Sequence, residues 1–155
     1  MKGLVVFYSK TGNARWVAQI IATQVGGDIC EVFENRRSRI LDLLKTELNS
    51  VRGKEAKLKS TRRSLADYDL IIVGTPVWAN RPTTAIIKYL QKNNLTGKNV
   101  AVFFTQGNKK PQAIEETKAL MPKSNYLGEL AVVNPLANKD ESEKQIIEWC
   151  KKLYG

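Results

Sequence analysis

The sequence predicts an α/β fold in which a parallel sheet lies between two layers of helices. Three observations carry that expectation. Five short apolar runs recur along the 155 residues, with stretches of helical period between and after them. Alternation of this kind argues for parallel strands joined by right-handed crossovers. Most of the runs also read as strands buried on both faces, as helices on each side of a sheet require. Finally, the length suits one domain over residues 1–155, able to bury about 68–70% of its unfolded surface without disulfide or metal staples.

The elements follow in order. Leu4–Tyr8 is the first strand, and Ile29–Phe33 alternates more, as an edge strand would. Tyr68–Val73 and Val100–Phe104 repeat the fully buried pattern, and Leu127–Val133 is the fifth run. Between them, Val17, Ile20, Ile21 and Val25 fall on one helix face, as do Ile86, Ile87 and Leu90. A further helix carries Ile114, Thr117, Leu120 and Met121 and should stop at Pro122. The last carries Ile146, Trp149, Cys150 and Leu153, opened by Asn138 with Glu141 in a cap-like pairing. The segment Arg36–Arg63 starts as a helix (Ile40, Leu43, Leu44, Leu48) and dissolves into a basic loop.

Composition narrows the chemistry. The chain has no histidine, which removes catalytic triads, proton shuttles and metal sites that need imidazole. Cys30 and Cys150 cannot form a tetrathiolate site and read as buried thiols. Trp16 and Trp149 read as packing, and Asp67 and Asp69 as strand-start caps. No metal site is expected. The net charge is +10, of which +7 falls within the 28 residues of Arg36–Arg63. The uncharged apolar stretch Leu70–Asn80 is far below the ~18 residues a membrane helix needs, and the apolar core of Met1–Lys10 is too short for a signal peptide. The expected location is a reduced cytoplasm.

In such folds ligands bind beyond the carboxyl ends of the strands, where strand order reverses. Three loops lie there. The first, Ser9-Lys10-Thr11-Gly12-Asn13-Ala14, offers two hydroxyls, an amide, a flexible glycine and the N–H groups of a helix start. Those groups suit a terminal phosphate that is held rather than transferred, although an ordinary capping turn uses the same residue types. No G-x-x-x-x-G-K-[ST] or G-x-G-x-x-G fingerprint occurs. The second, Thr75-Pro76-Val77-Trp78-Ala79, presents an indole on which a flat aromatic ligand could stack. The third, Thr105-Gln106-Gly107-Asn108, is a polar turn able to meet the edge of a heterocycle.

Taken together at this spacing, the loops resemble those of the flavodoxin family, and the resemblance runs from Lys2 to the last helix. Ser9, Thr11, Gly12 and Asn13 match the family's phosphate loop for flavin mononucleotide. Pro76-Val77-Trp78-Ala79 matches its second loop, whose aromatic flanks the isoalloxazine ring, and Thr105–Asn108 falls where the third loop borders the pyrimidine edge. The resemblance implies a flavodoxin-like sandwich of five parallel strands in the order 2-1-3-4-5. It also implies flavin mononucleotide (FMN) as a non-covalent cofactor that carries the redox chemistry, with no catalytic side chain.

Three departures from the family stand out. Ala14 replaces a frequent threonine, the third loop lacks an aromatic residue, and the chain is basic where electron carriers are acidic. Two electron acceptors are therefore expected: an acidic redox protein docking near Arg36–Arg63, or a small molecule such as a quinone. A basic module for nucleic acid or an acidic partner, without redox turnover, is the alternative. For nucleic acid it fits less well, because no aromatic residues are interleaved with the basic run.

Overall fold

The computed structural model describes residues 1–34, 64–106 and 113–154. Its strands are β1 (Gly3–Phe7), β2 (Asp28–Glu31), β3 (Leu70–Trp78), β4 (Arg81–Pro82), β5 (Asn99–Gln106) and β6 (Asn125–Val133). The described helices are α1 (Asn13–Val25), α2 (Thr84–Lys92), α3 (Ala113–Ala119) and α4 (Lys139–Tyr154). The sheet order is β2-β1-β3-β5-β6, all parallel, with β4 pairing antiparallel to β3. Counting only the parallel strands, this is the expected 2-1-3-4-5 arrangement. The sixth strand is the correction: two residues long, it has no period to read in a sequence.

The period of two along each strand divides the core into two layers. Val5, Phe7, Leu70, Ile72, Ala101 and Phe103 face α1 and α4, where Val17, Ile21, Ile146 and Cys150 meet them. Leu4, Val6, Ile71, Val73, Val102 and Phe104 face the other way, against Ala85, Ile86 and Leu90 of α2 and Ala113 of α3. Gly74 is required where it stands, because an added Cβ would lie 2.0 Å from the Phe103 ring. Trp16 and Trp149 pack at the margin of the first layer, as expected. Cys150 is buried, which pushes its thiol pKa up to about 11. Cys30 is only half-buried.

Several boundaries differ from the sequence expectation. β3 runs on to Trp78 instead of ending at Val73, so Pro76, Val77 and Trp78 are strand residues. Pro76 is tolerated because β1 ends opposite Gly74, leaving β3 one parallel neighbour beyond that point. β2 ends at Glu31, short of Phe33. β6 begins at Asn125, and a register shift opposite Val100 and Ala101 sets Leu127 out as the extra residue. α3 ends at Ala119, and tighter bonds from Leu120 N to Thr117 O and from Met121 N to Lys118 O finish the turn before Pro122. Asn138 precedes α4, but its side chain donates to Asn134 O at 3.3 Å instead of capping the helix. The helix expected within Arg36–Arg63 lies outside the described residues. No described helix is long and apolar enough to cross a membrane.

Candidate functional site

The loop after β1 is built around a buried serine. Ser9 Oγ accepts the N–H groups of Gly12 and Arg15, both at 3.2 Å, which leaves its own proton to donate outward. Gly12 has φ +92°, a conformation that favours glycine, and it turns the chain into α1. Asn13 braces the loop from both sides. Its Nδ2 donates to Thr11 Oγ1 at 2.9 Å, and its Oδ1 accepts Leu136 N at 3.2 Å. Gly12, at the N-cap of α1, offers no capping side chain, no acidic residue lies in the first turn, and Asn13 N and Ala14 N meet no acceptor among the described residues. Those N–H groups, with the positive end of the helix dipole and the hydroxyl protons of Ser9 and Thr11, form a donor set for an anion. Lys10 is exposed beside them. Arg15 is turned to Glu31, with Nη2 to Oε1 at 2.6 Å and Nε to Oε2 at 3.2 Å.

The second region is a hairpin, not an open loop. Trp78 pairs with Arg81 and Val77 with Pro82 across a turn whose central residues, Ala79 and Asn80, have φ of 48° and 60°. Positive φ at both positions is the turn that matches the twist of paired strands. The hairpin presents Trp78 at 42% exposure. The indole lies at 89° to the Tyr8 ring, with centroids 5.8 Å apart, and Lys10 Nζ sits 5.5 Å from its centre. Thr75 faces inward: its hydroxyl contacts Thr83 Oγ1 at 3.1 Å and accepts Thr83 N at 3.0 Å. That bond ties the start of α2 to β3, so the Thr75 hydroxyl serves the hairpin base.

Thr105 and Gln106 are the last residues of β5, and both are buried. Gln106 O accepts Asn134 N at 3.0 Å, while neither atom of its side-chain amide finds a partner among the described residues. Gly107 and Asn108 lie outside the described residues. A buried amide with unused donor and acceptor capacity fits the polar edge of a heterocycle.

Sequence reasoning missed the bidentate pair joining Arg81 to Glu116 of α3. Arg81 Nη2 reaches Oε1 at 2.6 Å, and Nε reaches both carboxylate oxygens at 3.1 Å. The partners are 35 residues apart, so no local pattern announces them. No group of side chains able to hold a metal occurs among the described residues. A groove of about 460 Å³ between the end of β2 and α2, lined by Val32, Phe33, Lys88 and Tyr89, shares no residue with the three loops.

Comparison with known proteins agrees with the fold. The family model described as flavodoxin matches residues 2–153. A candidate flavoprotein structure from Bacteroides uniformis is 25% identical, covering 97% of each chain at a TM-score of 0.69. A flavoprotein in complex with FMN from Lactobacillus acidophilus is 21% identical, covering 91% of this chain and 97% of its own at a TM-score of 0.63. Oxidised flavodoxin 1 from Bacillus cereus is 19% identical, covering 99% and 97% at 0.60. No curated protein sequence matches.

Proposed function

The chain belongs to the flavodoxin family, and we propose from that premise that it binds flavin mononucleotide non-covalently and passes electrons through it. One observation carries the reading. A phosphate-sized set of neutral donors and an exposed indole stand at the same end of the sheet, at the carboxyl ends of adjacent β1 and β3. The flavin, when bound, supplies the electron-accepting and electron-donating chemistry. The residues bind and orient it. Ser9 and Thr11 hydroxyls and the first-turn N–H groups hold the phosphate, Trp78 flanks the ring, and the Gln106 amide meets its polar edge. Neutral donors at the phosphate cost no buried charge when the site is empty.

The test is the visible spectrum of the purified protein and its titration with FMN. A yellow protein, or a colourless one that takes up FMN stoichiometrically, is expected. A colourless protein that ignores added FMN overturns the reading.

Charge supports a partner of acidic character. The described residues hold 13 basic and 12 acidic side chains, nearly balanced, so most of the +10 lies in segments 35–63 and 107–112. Exposed charges are screened beyond ~10 Å at 0.1 M salt. Electron exchange with an acidic redox protein should therefore slow steeply with added salt while FMN affinity changes little. Rapid, salt-independent reduction of a quinone would instead favour the small acceptor.

A further inference from the structure

We propose that Glu116 is a positioning residue: acting through Arg81, it sets where the Trp78 indole stands over the cofactor site. This rests on the flavin reading above. The β3–β4 hairpin has only two residue pairs, Val77 with Pro82 and Trp78 with Arg81. A hairpin that short is marginal by itself. Its turn also holds Ala79 at φ 48°, a left-handed conformation that disfavours a residue bearing a Cβ. Something outside the hairpin must hold it.

Two anchors do so. At the base, Thr75 and Thr83 join through a buried hydroxyl pair. At the tip, Arg81 is gripped by both oxygens of Glu116. Arg81 stands directly opposite Trp78, and side chains directly opposite on antiparallel strands share a face, so a force on one is felt by the other. The grip is bidentate, which fixes direction as well as distance. Glu116 belongs to α3, the helix entered from the third loop. The pair therefore links the element carrying Trp78 to the helix that follows Gln106 in the chain.

The chain contains three tryptophans, and replacing Trp16 and Trp149 by phenylalanine leaves Trp78 as the sole indole reporter. In that background, Glu116→Gln should make Trp78 more accessible to acrylamide quenching in the flavin-free protein. It should weaken FMN and riboflavin by the same factor, about threefold, because the ring and not the phosphate is affected. The reversed pair, Arg81→Glu with Glu116→Arg, should restore both readouts. With Trp78→Ala already present, Glu116→Gln should change flavin affinity no further, as a double-mutant cycle requires of a residue acting through Trp78. Unchanged quenching overturns the proposal, as does an equal loss of affinity with and without Trp78. If wild-type protein ignores FMN, the functional reading fails instead, and the quenching arm alone decides whether Glu116 positions Trp78.

Discussion

The loop after β1 and the β3–β4 hairpin stand at the same end of the sheet but are held by opposite means. The loop is wired into the interior. Ser9 is 4% exposed and accepts two main-chain N–H groups, and Asn13 ties the loop to the turn before α4. The hairpin is held at its tip from outside, by a guanidinium and a carboxylate that are both substantially solvated, while its indole is 42% exposed. Buried, satisfied hydrogen bonds pre-organise a site, whereas exposed ion pairs contribute little and are screened. The difference teaches where affinity and tuning should reside. The loop should supply the phosphate-dependent binding energy, and the hairpin should set the environment of the ring.

The sharpest way to break that contrast is Ser9→Ala. It removes an outward donor to the phosphate and strips acceptors from Gly12 N and Arg15 N. Charge-assisted hydrogen bonds contribute about 1.5–3 kcal/mol each, and orphaned donors add to the loss. FMN affinity should fall by roughly a hundredfold while riboflavin, which has no phosphate, changes little beyond any general loosening of the loop. Equal losses for the two ligands, measured by fluorescence titration, would show that the loop does not hold the phosphate.

Trp78→Ala should act on both ligands alike. Loss of one aromatic contact is expected to cost about 1–2 kcal/mol and to restore part of the flavin emission quenched on binding. If Trp16→Phe or Trp149→Phe produced that effect and Trp78→Ala did not, the hairpin would not flank the ring.

The two regions also differ in how far the sequence discloses them. The loop after β1 is local: six consecutive residues carry its hydroxyls, its glycine and its helix start, so the residue types imply the geometry. The central strands are equally legible, because residues such as Ile71, Ile72 and Val73 must be buried on both faces. The hairpin is not. Pro76 reads as a loop residue, yet it sits in a strand that has lost one neighbour there. Ala79 is a poor choice for a left-handed turn and gives no turn signal. The Thr75 hydroxyl meets Thr83 across eight residues, and the Arg81–Glu116 pair joins distant elements. Asn138 has the residue type of a cap, but Asn134 offers its side chain a closer use. Tertiary contacts chose among options the local chemistry leaves open.

Relieving the strained turn tests the hairpin from the other side. Ala79→Gly removes the Cβ from a residue at φ 48° and should stabilise the fold by up to about 1 kcal/mol in denaturant unfolding. FMN affinity should stay within about twofold of wild type, since a better turn leaves the indole where it is. A destabilised Ala79→Gly protein would mean that the turn conformation is set by contacts of the Ala79 methyl group.

The smallest expected effect is a pH dependence confined to the hairpin. The hydrogen bonds from Arg81 hold the Glu116 carboxyl below its ordinary 4.5; desolvation opposes this and the guanidinium charge adds to it. A carboxyl lowered in the folded state contributes at every pH above its unfolded value and loses that contribution as pH falls through the folded one. The Arg81 tie should therefore be intact from neutrality down to about 4.5 and should release only in more acid solution. The absence of histidine keeps imidazole titration out of the window between pH 5 and 8. In the protein whose only tryptophan is Trp78, emission should stay flat across that window and shift below it. Glu116→Gln should remove the acid-dependent shift and give the acid-side emission at neutral pH. A shift centred between pH 5 and 7, or one that survives Glu116→Gln, would assign the control of Trp78 to a different group and leave the Arg81–Glu116 pair as surface decoration.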